Sequence, residues 1–186
     1  MRTALLLLAF CLSSPALAQM PEPSPLLAAI VPVEPEARAC FARVYDAAHL
    51  KTHPHQTVTG MEFRLTWHVF EQEGNEPFGD YMFQMRVDRR GAKKQAHGTG
   101  PCMERDGKAF CGIECDGGGV FLKPREDGAL LVSFDDMWGI RLSESCDGDE
   151  EDEDAAVPLK PGRDDRSFRL ERLPDGQCPA YEDWDK

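Results

Sequence analysis

Alternation of apolar and polar side chains over nine residues, 61–69, within the segment 57–71 constrains the fold more than any other feature. The apolar residues share one parity: Met61, Phe63, Leu65, Trp67 and Val69. Polar or small residues take the other parity, and residues 81–87 repeat the pattern. A period of two places successive side chains on opposite faces of an extended chain, so each segment predicts a strand with one buried face.

Shorter alternating segments after residue 90 predict further strands. They lie near 93–99, 108–115, 119–123, 129–134, 138–143 and 167–172. Turn sequences such as Asp106-Gly107 and Asp127-Gly128 separate several of them. About eight antiparallel strands with short turns favour a mainly β fold, either an up-and-down barrel or a strongly curved sheet. A two-sheet β-sandwich is the alternative.

The chain before these strands predicts a leader and one helix. Residues 19–35 contain five prolines, which favour an extended leader. Residues 36–50 combine strong helix formers with an apolar side at Phe41, Val44 and Ala48. We therefore expect one N-terminal helix, which Pro54 prevents from extending much further.

The first eighteen residues have the pattern of a secretory signal peptide. Arg2 precedes an apolar run from Ala4 to Leu12, and small residues precede the expected cleavage after Ala18. This run is less than half of the ~20 residues that a helix needs to cross a bilayer. We therefore expect an exported protein without a membrane span, in three parts: a signal peptide at 1–18, a Pro-rich leader at 19–35 and a single β domain at 36–186.

Six cysteines remain once Cys11 leaves with the signal peptide, and an even number in an exported chain indicates three disulfides. They are Cys40, Cys102, Cys111, Cys115, Cys146 and Cys178. No CxxC pair occurs among them, which disfavours a zinc site or a thiol redox motif.

Hairpin geometry predicts one pair. If Asp106-Gly107 forms a two-residue turn, Cys102 and Cys111 lie directly opposite each other, with Cα atoms about 4.5 Å apart. A disulfide tolerates roughly 4.4–6.8 Å, so we predict Cys102–Cys111. Four residues of strand separate Cys111 from Cys115 by roughly 13 Å, too far for a bond. For the other four cysteines we expect Cys115–Cys178 and Cys40–Cys146.

The formal net charge of −12 narrows the choice of partners. Such a surface repels nucleic acid and anionic lipid, so we expect neither, and it would attract a cationic protein or a small cationic ligand. Equally, the charge could serve only to keep the protein soluble. The densest acidic run lies in a predicted loop at 147–156. It departs from an EF-hand, because Asp152 and Pro158 stand where Gly and Glu are needed.

Composition also bears on the compartment. Arg outnumbers Lys, and Ala, Asp, Gly and Pro are plentiful, which is typical of a GC-rich bacterial genome. In a bacterium with two membranes, an exported protein with disulfides belongs in the periplasm.

His49, His53 and His55 form a cluster that could bind zinc or copper. Pro54 breaks the helical spacing between them, so histidines that complement a helix end are the alternative. The glycine run after Cys115 lacks the Lys-Ser/Thr of a phosphate loop, and no GxSxG elbow occurs. We therefore expect no cofactor and a non-enzymatic role. The less favoured alternative is a hydrolase with an unrecognised site, in which His68 could act as a base.

Trp67, Tyr81 and Trp138 are the candidate ligand-binding residues, because the alternation places them on inward-facing parities. A barrel lined by them could take a small apolar or cationic ligand at its mouth or interior, although small barrels usually fill their interior with such side chains. An interaction module of the cell envelope, or an inhibitor of a cationic partner, is the second hypothesis.

Three segments resemble stretches of uncharacterised exported bacterial proteins: CFARVYDAAHL, FCGIECDGGGVFL and DDRSFRLERL. The resemblance implies no activity, because none is assigned to that family. In charge and expected fold, the chain is also similar in kind to bacterial inhibitors of cationic lysozymes. None of their signature residues can be matched here, so that likeness is one of architecture alone.

Overall fold

The computed structural model describes residues 22–114, 116–142 and 157–178. The helices in these ranges are short: α1 (Pro25–Ala28), α2 (Ala47–Thr52) and a 3-10 turn at Asp175–Gln177. The strands are β1 (Arg38–Val44), β2 (Val58–Phe70), β3 (Phe78–Arg89), β4 (Ala96–Arg105), β5 (Lys108–Gly112), β6 (Gly119–Pro124), β7 (Leu130–Ser133), β8 (Ile140–Leu142), β9 (Val157–Leu159) and β10 (Ser167–Arg172).

Eight of these strands close into one antiparallel barrel in the order β1-β10-β7-β6-β5-β4-β3-β2. β2 and β3 form the longest ladder, from Val58 opposite Arg89 to Phe70 opposite Phe78. The predicted mainly β fold is confirmed, in its barrel form rather than as a sandwich. Closure leaves no free strand edge in the barrel, which β1 and β10 complete by pairing with each other.

The predicted helix over residues 36–50 is wrong. Arg38–Val44 is strand β1, which pairs with β2 along its whole length and with β10 near its end. Only Ala47–Thr52 is helical. Ala39 and Phe41 are buried in the core, which the period of two explains. Helix propensity is a weak local preference, and pairing with two neighbouring strands overrides it here.

The segment before β1 closes one end of the barrel. Residues 25–28 form a single helical turn instead of an extended leader, and both Leu27 and Val31 are 0% exposed. The Tyr81 hydroxyl donates a hydrogen bond to the Val31 carbonyl at 2.8 Å. This segment therefore belongs to the barrel core, because its apolar side chains cover the ends of the strands beneath it.

A hairpin of β8 and β9 covers the core at the connection between β5 and β6. It forms a separate two-stranded sheet, and Ile140, Leu142 and Leu159 are buried with the barrel core. The Arg141 N–H donates to the Gly117 carbonyl at 2.7 Å, which attaches the hairpin to the barrel. The predicted strand near 138–143 therefore exists, but β1 and not β8 is among the eight barrel strands.

The predicted disulfide Cys102–Cys111 is confirmed. The two residues are opposite each other in the β4–β5 ladder, with Cα atoms 4.0 Å apart. Asp106 and Gly107 both have positive φ (52° and 71°), as a two-residue turn of this type requires.

The expected pairs Cys115–Cys178 and Cys40–Cys146 are wrong, because Cys40 bonds to Cys178 with Cα atoms 5.4 Å apart. Once residues 38–44 are a strand, Cys40 lies beside the chain that leaves β10. The Leu173 N–H donates to the Cys40 carbonyl at 2.8 Å. This hydrogen bond holds the segment between β10 and Cys178 against β1. Cys115 and Cys146 lie outside the described residues.

Two other sequence predictions also fall outside the described ranges: the signal peptide at 1–18 and the acidic loop at 147–156. Within those ranges, none of the helices has the length and apolar character that spanning a bilayer requires.

Candidate functional site

The inward-facing side chains of the barrel pack against one another. Phe63 and Phe83 stack with ring centroids 5.6 Å apart, and neither is exposed. Aliphatic residues fill the rest of this core, among them Met61, Leu65, Met85, Val87, Val120, Leu122, Leu130, Val132 and Leu170. The inward aromatics Phe63 and Phe83 therefore serve as core residues.

Trp67, Tyr81 and Trp138 are not brought together. Trp67 and Tyr81 meet edge to face, with centroids 4.8 Å apart, and burial raises the pKa of the Tyr81 phenol. Trp138 is instead 50% exposed, in the connection between β7 and β8. Its predicted inward orientation assumed a strand from 138, but β8 begins at Ile140 and lies outside the barrel.

Trp138 lines a groove of about 430 Å³ on the outer face of β4 and β5. We call it the Trp138 groove. Its apolar lining comprises Pro101, Met103, Phe110, Ile113, Met137 and Trp138. Met103, at 49% exposed, and Trp138 are among the most exposed large apolar side chains of the described residues. Contiguous exposed apolar side chains of this kind are typical of interaction surfaces.

Two glycines leave space for the Phe110 ring that lines the groove. A Cβ atom on Gly119 would lie 2.4 Å from Cζ of Phe110, and one on Gly112 would lie 2.8 Å from its Cε1. A side chain at either position would displace the ring, so the absence of a Cβ is a requirement of the site. Gly119, the last residue of the glycine run after Cys115, thus helps to shape the groove.

Charges of both signs line the Trp138 groove. The Arg105 guanidinium lies 5.1 Å from the Phe110 ring centroid and donates to Sδ of Met137 at 4.0 Å. Glu114 and Asp116 are exposed at the groove and form no ion pair with any other described residue. The Arg105 guanidinium therefore already contacts Phe110 and Met137 within the groove, whereas the carboxylates of Glu114 and Asp116 are available to a partner.

The predicted histidine cluster divides into two parts. The His49 and His53 rings stack with centroids 4.1 Å apart, and Nε2 of His49 lies 3.0 Å from Oε1 of Gln56. Nε2 of His55 lies instead 3.3 Å from Nη1 of Arg163. Across the described ranges, no three His, Cys, Asp or Glu side chains are placed so that they could hold a metal ion.

His53 follows the last turn of α2, where its Nδ1 lies 2.9 Å from the His49 carbonyl oxygen. That position matches the alternative interpretation, in which the histidines complement a helix end. Nδ1 of His68, the residue considered above as a base, lies 3.6 Å from Oε1 of Glu36, and the His68 ring packs edge to face on Phe70.

Comparison with known proteins found no matching family model, no matching curated protein and no matching solved structure. The resemblance of three segments to exported bacterial proteins therefore stays a prediction.

Sequence reasoning missed most of the Trp138 groove, although one signal was present. The hairpin register that pairs Cys102 with Cys111 also pairs Met103 with Phe110, and the structure has both pairs. Inward cysteines leave Met103 and Phe110 facing outward, so the register predicts an outward apolar pair, of which Met103 is half-exposed and Phe110 is covered by its neighbours. No pattern in the sequence indicated that Met137 and Trp138 would lie against them.

Proposed function

We propose that this protein is an exported binding protein, and that its Trp138 groove takes a basic, partly apolar segment of another polypeptide. The observation that carries the proposal is the half-exposed Trp138 beside the half-exposed Met103 in one groove. Aromatic and methionine side chains are enriched in the cores of protein interfaces, and tryptophan is a frequent hot spot.

Charge supports a basic partner. Glu114 and Asp116 offer two carboxylates at the groove, and the whole chain carries a net charge of −12. The faces of aromatic rings attract Lys and Arg side chains, and tryptophan does so most strongly. Arg105 already lies over Phe110, so the Trp138 ring is the one that remains for a cation from the partner.

The chemistry of the lining favours recognition over catalysis. Among the described lining residues there are two carboxylates and one guanidinium, but no hydroxyl, thiol or imidazole. The hydroxyl, thiol and imidazole nucleophiles are therefore missing from the described lining, which leaves the Glu114 and Asp116 carboxylates as its only candidate nucleophiles.

Export is supported by the signal-like N-terminus and by two disulfides among the described residues. Disulfides form and persist in oxidising compartments, and the composition points to a bacterial periplasm.

Titration of the mature, disulfide-bonded protein with synthetic peptides tests the proposal. We expect a peptide of alternating Lys and Leu to bind, and one of alternating Glu and Leu to bind far more weakly. Trp138→Ala should lower the affinity for the Lys–Leu peptide about tenfold or more, as expected for an interface hot spot. Val44→Ala is the matched control, because Val44 is an exposed apolar residue on β1 outside the groove.

A second pair of variants separates groove charge from total charge. Glu114→Gln should weaken binding of the Lys–Leu peptide more than Glu126→Gln, which removes the same charge outside the groove lining. Equal effects would mean that the peptide responds only to the net charge. An unchanged affinity in Trp138→Ala would refute the groove as the binding site.

A further inference from the structure

A second groove, of about 550 Å³, lies beside the first on the outer face of the barrel. It runs along β6 and β7 to α1, and we call it the α1 groove. Phe110 lines the Trp138 groove and Phe121 lines the α1 groove, and their ring centroids are 5.3 Å apart. This aromatic pair therefore separates the two grooves.

The α1 groove is mostly apolar. In the β6–β7 ladder, Phe121 is opposite Ser133 and Lys123 is opposite Leu131. These positions alternate with the buried Leu122 and Val132, so the four side chains face outward. On the α1 side, Leu26 and Ala29 line the groove, and Leu26 is 37% exposed.

One cation in this groove is already compensated. Nζ of Lys108 donates to Oδ2 of Asp135 at 2.8 Å and lies 5.0 Å from the Phe121 ring centroid. The Ser133 hydroxyl also donates to Asp135, at 2.8 Å. These hydrogen bonds, that of Lys108 first, lower the pKa of Asp135, so the carboxylate stays ionised and the pair stays neutral overall.

Lys123 is different. It lines the same groove, is exposed, and forms no hydrogen bond or ion pair with another described residue. The α1 groove thus combines an apolar floor with two ammonium groups, those of Lys108 and Lys123, and one carboxylate, that of Asp135, which feels the charge of both. The lining has a net charge of +1, on a chain whose net charge is −12. A ligand with apolar surface and a single negative charge would complement this lining.

We infer that the α1 groove binds a small aliphatic carboxylate, with its carboxylate at Lys123 and its chain against Phe121, Leu131 and Leu26. The volume is within the range of about 300–1,000 Å³ that is typical of small-molecule sites. One carboxylate on the ligand would balance the net positive charge of the lining, and a second negative charge would be repelled by Asp135.

Calorimetric titration of the mature protein with decanoate, below its micelle concentration, tests the inference. Decanol has the same chain without the charge and serves as the matched ligand. We expect decanoate to bind more tightly than decanol. Lys123→Gln should lower the decanoate affinity about fivefold, the scale of an exposed charge pair, and leave the decanol affinity unchanged.

Three further variants locate the ligand. Leu26→Ser should lower the affinities for both decanoate and decanol, because it removes part of the apolar wall of the groove. Lys51→Gln, which removes an exposed cation on α2, should change neither. Trp138→Ala should also leave both affinities unchanged, so this inference and the proposed function can fail separately.

Failure of decanoate to bind, or equal affinity for decanol, would overturn the inference. So would a loss in Lys51→Gln as large as that in Lys123→Gln, since the attraction would then be a property of the whole surface. An unchanged affinity in Leu26→Ser would place the ligand outside the α1 groove.

Discussion

The inner and outer faces of β4–β7 use the same kind of side chain for opposite purposes. On the inner face, Cys102, Cys111 and Val120 lie in a core that α1 covers at one end and the β8–β9 hairpin at the other. One position along, on the outer face, Met103 and Phe121 line grooves that are open to solvent. Alternation alone therefore predicts two faces, and neighbouring elements decide which face is filled and which is left to bind.

One disulfide lies on the inner face of the barrel and the other on its outer face. Their removal gives the largest expected change in the free energy of unfolding. Cys102–Cys111 lies inside the barrel, and Cys40–Cys178 lies outside it with Leu173. In the chain-entropy description, a loop of 138 residues contributes about 5 kcal/mol, and one of 9 residues about 2.5 kcal/mol. Replacing Cys40 and Cys178 by Ala should thus lower the free energy of unfolding by more than the same change at Cys102 and Cys111.

Urea denaturation of the two double variants measures this difference. All four cysteines are buried, so the loss of packing is comparable and the loop length should set the order. The reverse order would show that the inner bond, and not the outer one, holds the barrel closed.

Peptide mapping of the oxidised mature protein tests the predicted number of disulfides. Three disulfides require Cys115 to pair with Cys146, since the other four cysteines of the mature chain are bonded.

Phe83→Ala tests whether the interior is a packed core. Phe83 is 0% exposed and stacks on Phe63, so its truncation should lower the free energy of unfolding by about 3–5 kcal/mol. Met103→Ala on the outer face should change it by no more than about 0.5 kcal/mol. Similar values for the two variants in urea denaturation would contradict the distinction between the faces.

Gly119→Ala tests the boundary between the faces. The added Cβ would lie 2.4 Å from both Cζ of Phe110 and the Cys111 carbonyl oxygen, so moving the ring alone cannot relieve the clash. We expect a loss of about 1–3 kcal/mol in stability, as for other overpacked sites, together with weaker binding of the Lys–Leu peptide.

Gly176→Ala is the control for that substitution, because its Cβ would meet no atom within 4 Å. Its stability in urea should stay within about 0.5 kcal/mol of the parent. If Gly119→Ala kept full stability and full peptide affinity, the position of the Phe110 ring would not depend on the missing Cβ atom at residue 119.

The smallest effect concerns the charged edge of the α1 groove. Hydrogen bonds from Lys108 and Ser133 hold the pKa of Asp135 below its ordinary value of 3.8. A lowered carboxyl pKa stabilises the fold above pH 3.8, and this contribution is lost as the pH falls through the folded-state value. Asp135→Asn should therefore lower stability near neutral pH, by less than about 1 kcal/mol because the group is exposed.

Urea midpoints of Asp135→Asn and its parent should converge as the solution is acidified. Asp136→Asn removes the same charge from the next residue and should show a smaller difference from the parent. A gap that stayed constant down to low pH would mean that Asp135 acts through its backbone conformation, which has φ of 44°, and not through its charge.

Prediction of the two grooves from sequence was partial for a physical reason. Alternation points to Trp138 as a ligand residue but assigns it to the wrong face, because that parity belongs to a strand that does not join the barrel. The outward orientation of Met103 and Phe110 can be predicted from the hairpin register. The proximity of Lys123 and Leu26 cannot be, because the two residues meet only after β6 and the segment before β1 have come together from distant parts of the chain.

The sequence by itself determined the features that depend on neighbours along the chain. A period of two defined β2 and β3, and the Asp-Gly turn set the register of Cys102 and Cys111. Tertiary structure decided that residues 38–44 form a strand, that Cys40 bonds to Cys178 and that β8 lies outside the barrel. Each of these depends on pairing between distant segments, where the energy of the completed sheet outweighs local preference.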